Sequence, residues 1–198
     1  MLNLLSRFPV AVWPIYLLMI MLLLTLAGDD VSRLLRFDHR AIAQGDIWRL
    51  LTGHIVHLGW AHGLLNAGGL LLVAWMQPKG SAVRWLLFYV ITSVLISMFL
   101  YVNGSVSTYV GASGVLHGLL IMAAFFSKWL EPWRQKLIML LISGKLLWEQ
   151  TPWYSDASVA EMIGGYVVVN AHFVGGVAGL LVVFYVSIKK RANSSGPS

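Results

Sequence analysis

Apolar residues along this chain are bunched rather than alternating. Runs fall at about 9–27, 54–76, 82–102, 113–130, 135–149 and 163–188, with breaks at Gly28-Asp29-Asp30, Pro78-Lys79-Gly80, Asn103-Gly104-Ser105, Pro132 and Pro152. A membrane crossing takes roughly 20 residues, so most runs predict a full span and the fifth is short. The first outlasts the roughly 7–15 residues of a signal-peptide core and reads as a retained helix. Residues 28–53 differ, with Leu34, Leu35, Phe37, Ile42, Trp48, Leu50 and Leu51 set among charged residues. That mixture predicts a structured loop at the membrane interface. The pattern as a whole predicts an all-α polytopic membrane protein, a six-helix bundle over 9–188. Residues 1–8 form a short leading segment and 189–198 a disordered tail.

Composition removes the soluble alternative. The chain is 58% hydrophobic and 11% charged, and its mean hydropathy is +0.75. Too little polar surface remains to cover so apolar a core, so the solvent must be lipid. With no cysteine, thiolate chemistry, disulfides and cysteine-ligated metals are excluded. The net charge of +6 does not signal nucleic acid, because no basic cluster interleaves with aromatics. In a membrane protein it encodes orientation. Arg7, Lys79, Arg84, Lys128, Arg134, Lys136, Lys189, Lys190 and Arg191 share one side of the predicted bundle. Arg33, Arg36, Arg40, Arg49 and Lys145 fall on the other with most of the acids. The positive-inside rule therefore puts both termini in the cytoplasm and loops 28–53, 103–112 and 150–162 outside.

Polar groups within spans are costly and call for an explanation. The second span carries His54, His57, His62 and Asn66, the fourth Ser113 and His117, and the sixth Asn170 and His172. Counted from the cytoplasmic ends of their spans, His62 lies 16 residues from Pro78, Ser113 lies 15 from Lys128, and His172 lies 17 from Lys189. At 1.5 Å per residue all three lie roughly 22–26 Å above the cytoplasmic face. Asn66 is one turn deeper than His62 and on the same helix face. A serine at one level with a histidine can be a nucleophile with its base. A second histidine and an asparagine can then stabilise an oxyanion. No acid falls at that depth, so the expectation is a Ser113–His172 dyad with His62 and Asn66 facing the oxyanion. Packing is the competing explanation. Small residues let membrane helices approach closely, and Gly114 to Gly118 is itself a GxxxG. His54 and His57 read as wetted residues near the outer interface. Independent packing roles, however, do not predict one shared depth. A histidine-ligated haem or metal protein is the rival from another class.

Four short motifs carry a resemblance. "GASG" at the start of the fourth run, "HGLLN" in the second, "AHFVGGVAG" in the sixth and "WR" at Trp48-Arg49 together resemble the rhomboid intramembrane serine proteases. The resemblance implies Ser113 as nucleophile, His172 as base, and His62 and Asn66 as oxyanion donors. Gly111 belongs to the nucleophile motif. Gly175 and Gly179 would let the sixth helix press against the fourth. Where many rhomboids have a tyrosine four residues after the serine, this chain has His117, which could stack on the base or hydrogen-bond to it. The stretches "GDIWRLLTGHIVHLGWAH", "GASGVLHGLL" and "KLLWEQ" are similar more narrowly to the rhombosortases. That likeness implies cleavage of C-terminal tails built from Gly-Gly, a hydrophobic helix and a basic end, on secreted proteins of Gram-negative bacteria. It implies residence in the inner membrane with the active site toward the periplasm. The expected partners are transmembrane or tail-bearing protein substrates and membrane lipids. No cofactor, metal or nucleic acid is expected, and the chain is expected to be a monomer.

Overall fold

The computed structural model describes residues 12–78 and 82–194. The segment 1–8, Lys79 and the last four residues of the tail lie outside the described residues. In chain order the elements are α1 (Trp13–Leu26), α2 (Asp29–Leu35), β1 (Phe37–Asp38), α3 (His39–Ala43), α4 (Arg49–Thr52), α5 (Trp60–Met76) and α6 (Ala82–Asn103). They continue with β2 (Thr108–Tyr109), α7 (Ser113–Phe126), α8 (Pro132–Trp148), α9 (Ala157–Ile163) and α10 (Val169–Ser194).

Each apolar run holds one long helix, but the lengths are uneven. Among the described residues, α6 and the stretch Val169–Asn193 of α10 are long and apolar enough to cross a membrane by themselves. Taken together, α1 and α2 meet the same measure, although they are bent by 120°. Helices α5 and α7 are apolar and shorter. Fewer of the described helices are therefore full-length apolar spans than the expectation of a full crossing from most runs. One cause is visible in the second run, which coils through His54 to Gly59 before α5 begins at Trp60. The tail differs as well, since α10 carries on through Lys189 and Lys190 to Ser194.

Helix ends follow from local chemistry. Pro14 and Pro132 occupy first-turn positions of α1 and α8, where a missing N–H costs nothing. The Asp38 carboxylate accepts from the amides of Arg40 and Ala41 and caps α3. Residues 28–53 hold α2, β1, α3 and α4, so the segment is structured. Buried Arg49 ties it together, its guanidinium donating to the Asp46 carboxylate and to the carbonyls of Arg33 and Arg36. Strand β1 pairs antiparallel with β2, Phe37 opposite Tyr109, which anchors the loop ahead of α7 to this segment.

Helix α7 is the centre of the bundle and packs against α5, α6, α8 and α10. Its contact with α10 is backbone on backbone. A methyl group on Gly114 would sit 2.8 Å from the Ala171 carbonyl oxygen, and one on Gly175 would collide with the Gly114 carbonyl. Gly118 and Gly179 meet in the same way one turn along. The small-residue stripe thus brings α10 onto α7, as the resemblance implies. Around this core Leu72, Trp75, Leu87, Ile91, Leu181 and Phe184 are exposed. An exposed surface of that kind matches a hydrocarbon solvent.

Candidate active site

The close α7–α10 contact sets the distance between two side chains. Ser113 opens α7 and His172 lies in the first turn of α10, and Ser113 Oγ is 2.9 Å from His172 Nε2. The other ring nitrogen, Nδ1, lies 3.0 Å and 3.2 Å from the two carboxylate oxygens of Glu149. A carboxylate only accepts, so Nδ1 carries the proton. Nε2 is left as the acceptor for the Ser113 hydroxyl. Serine, histidine and acid stand in line.

Glu149 corrects the expectation that no acid lies at this level. It caps α8, whose C-terminal end comes level with His172. Only 4% of Glu149 is exposed, and a buried carboxylate needs compensation. Lys145, one turn earlier on α8, supplies it through an ion pair. The Lys145 ammonium also contacts His117 Nε2 at 3.0 Å. An ammonium only donates, so His117 Nε2 accepts, and His117 Nδ1–H donates to the Ser113 backbone carbonyl at 2.7 Å. The His117 ring stacks on His172, with centroids 4.4 Å apart and an interplanar angle of 30°. Of the two expected roles for His117, stacking is the one present, and its hydrogen bonds go elsewhere.

His62 and Asn66 face the same point from α5. The His62 Nδ1 accepts from the Leu58 amide at 3.4 Å, so Nε2 carries the hydrogen. A methyl group built on Gly111 would stand 2.6 Å from that Nε2 and 3.8 Å from Asn66 Nδ2. Gly111, with φ +112°, is in a conformation that L side chains avoid. One Asn66 amide hydrogen goes to the His62 carbonyl at 3.0 Å, and the second is left for a ligand. All four predicted residues, Ser113, His172, His62 and Asn66, line one cavity of about 620 Å³. Its lining is apolar at Leu65, Leu116 and Leu120 and polar at Ser32, Arg33 and Arg36 of α2 and its C-cap.

His54 and His57 are not the wetted residues expected at the interface. Both are buried. His54 Nε2 bonds Ser97 Oγ at 2.9 Å, while His57 stands edge-on to His62 at 5.1 Å. As for metal ligands, His117, Glu149 and His172 bring one donor atom each to within 4.8 Å of one another. An ion lies in the plane of each imidazole it binds, however, and these two rings are stacked. The positive charge in that cluster is the Lys145 ammonium.

A serine at a helix start, bonded to a histidine on a neighbouring helix that a carboxylate holds in turn, is the arrangement that serine hydrolases use. Two comparisons with known proteins name the family. The rhomboid domain profile matches residues 44–189. The chain is also 27% identical over 156 residues to the "Putative rhomboid protease YdcA" of Bacillus subtilis (strain 168), covering 76% of this chain and 72% of that protein. The chain belongs to the rhomboid family, a family of intramembrane serine proteases acting on membrane-protein substrates.

Proposed function

We propose that this protein is an intramembrane serine endopeptidase that removes C-terminal tails from secreted proteins. The observation that carries the chemistry is the Ser113–His172 contact of 2.9 Å, made inside the cavity that His62 and Asn66 also line. Ser113 Oγ attacks the scissile carbonyl as its proton passes to His172 Nε2. Glu149 holds the imidazole in the tautomer that can receive that proton and stabilises the imidazolium. The negative oxygen of the tetrahedral intermediate is met by His62 Nε2–H and the free Asn66 amide hydrogen. As the C–N bond breaks, His172 returns the proton to the leaving amine, and an acyl group remains on Ser113. Water then attacks that ester, with His172 again as base. An amine such as a lipid headgroup could take the place of water at this step, giving an amide at the new C-terminus.

The bundle crosses the membrane six times over 9–188, in a bacterial inner membrane with both termini cytoplasmic. The site opens toward the periplasm, and the chain acts as a monomer. A serine at that level reaches only the outer end of a substrate helix, so the helix must unwind there. Glycines lower the cost of unwinding by roughly 1 kcal/mol each relative to alanine. That favours a Gly-Gly placed just before a C-terminal hydrophobic helix, the tail that the rhombosortase resemblance implies. Co-expression with a secreted protein bearing such a tail should give a shortened product. Replacing the substrate's Gly-Gly by Leu-Leu, or Ser113 by alanine, should abolish it. Equal cleavage with leucines would return the assignment to a general rhomboid protease for single-span proteins.

A further inference from the structure

The turn ahead of the nucleophile carries a conflict that the mechanism above leaves unexplained. Gly111 adopts φ +112° and lies directly under His62 Nε2. Its own carbonyl is an acceptor, and His62 Nε2–H is a donor meant for the oxyanion. Glycine has the backbone freedom to rotate that peptide. A Gly111 carbonyl turned toward His62 would take up its N–H and leave the oxyanion without it.

One hydrogen bond fixes the peptide before Gly111, and a second holds the carbonyl itself. The Gly111 amide donates to the Gly53 carbonyl at 2.9 Å. The Gly111 carbonyl accepts from the Tyr109 hydroxyl at 2.7 Å. The tyrosine is itself fixed. It pairs with Phe37 across the two-strand ladder, is buried, and its ring packs against His54 at 5.2 Å. Burial pushes its phenol up, with the Gly114 amide and the Ser113 side chain acting in the opposite sense. The hydroxyl therefore stays protonated and donates.

We propose that Tyr109 is a positioning residue for catalysis, its hydroxyl holding the Gly111 carbonyl away from His62 so that the oxyanion donor stays free. This rests on the site assignment above, with Ser113 as nucleophile and His62 as donor. The Tyr109 phenol also faces the Ser113 side chain and the Gly114 amide, but the role proposed here acts through His62. Removing only its hydroxyl leaves the ring packing in place and releases the carbonyl.

The test is Tyr109→Phe in the full chain, in detergent, with rates taken per folded protein as measured by pulse proteolysis. The readouts are cleavage of a single-span reporter and the rate of Ser113 labelling by a fluorophosphonate. Expected is a fall of about 10–100-fold in both kcat and labelling rate, up to but not beyond the roughly 10²–10³-fold loss typical of one missing oxyanion donor, with KM changed less than about threefold. In a His62→Ala background the same substitution should have almost no further effect, because the two changes disable one donor. Tyr89→Phe is the control. It deletes another buried tyrosine hydroxyl, one that bonds the His54 carbonyl at 2.8 Å, and should leave the labelling rate near wild type. An unchanged kcat in Tyr109→Phe, losses that simply add in the double variant, or an equal loss in Tyr89→Phe would each overturn the proposal. Labelling of the wild type that depends on Ser113 keeps the site assignment intact whichever way Tyr109→Phe turns out. Loss of that dependence would remove the assignment itself.

Discussion

Glu149→Gln is the most informative single change to the site, because it keeps the shape and removes one acceptor. In the native protein both carboxylate oxygens lie within 3.2 Å of His172 Nδ1, and one of them also takes the Lys145 ammonium. A glutamine has a single acceptor oxygen. If the oxygen faces Lys145, the amide NH2 stands where Oε2 was, 3.0 Å from Nδ1, donor against donor. If it is flipped, the NH2 faces the ammonium. The first arrangement favours the His172 tautomer with its hydrogen on Nε2, which cannot receive the serine proton, whereas the flipped one keeps the Nδ1–H bond but sets the amide NH2 against the Lys145 ammonium, so the first prevails. In soluble serine proteases the corresponding changes lower kcat by roughly 10⁴-fold. A decade in rate is about 1.4 kcal/mol, so a loss of 10²–10⁴ here corresponds to about 3–5.5 kcal/mol of transition-state stabilisation. The assay is kcat and KM on a fluorogenic single-span substrate in proteoliposomes, with folded protein quantified in parallel. The expected result is a fall in kcat of that size with KM nearly unchanged, and partial recovery in Glu149→Asp. A folded Glu149→Gln within threefold of wild-type kcat would refute the orienting role and return the site to a plain dyad.

Other expectations test neighbouring parts of the account. Asn66→Ala should lower kcat by about 10²–10³-fold, the usual cost of one oxyanion donor, whereas an unchanged kcat would make Asn66 a packing residue. Gly175→Ala inserts a methyl group against the Gly114 backbone. Separating the helices should cost about 1–3 kcal/mol in thermal unfolding. By moving His172 it should slow turnover about 10²-fold or more, and wild-type melting and activity would show that the contact is loose. A reporter fused after Arg191 should read cytoplasmic and one in the 150–162 loop periplasmic, and the reverse pattern would refute the orientation.

The sequence exposed those parts of the site that lie on helices at one level. Ser113, His172 and His62 follow from counting helical rise and Asn66 from its i, i+4 place on the face of His62, while Gly175 and Gly179 came with the family resemblance. The rise and face arguments need only local regularity. Glu149 escaped because depth was counted only along the second, fourth and sixth runs, whereas Glu149 closes the short fifth one. Its place as the C-cap of α8 brings it beside His172. The signal was present as Lys145 and Glu149, an i, i+4 charge pair closing an apolar run. Tyr109 gave no local signal at all. Its position depends on pairing with Phe37, far away in the chain, and two-residue strands leave no pattern to read. His54 and His57 were misplaced for a related reason, since coil from His54 to Gly59 folds inward ahead of α5 and buries both.

The central claim is that Ser113 is a nucleophile activated by His172. It is tested most directly by treating the purified protein with a fluorophosphonate and mapping the adduct by mass spectrometry. A single modified residue is expected, Ser113, with labelling absent in Ser113→Ala and slowed at least about 10²-fold in His172→Ala. An adduct on another residue, or labelling of Ser113 at the same rate without His172, would contradict that claim.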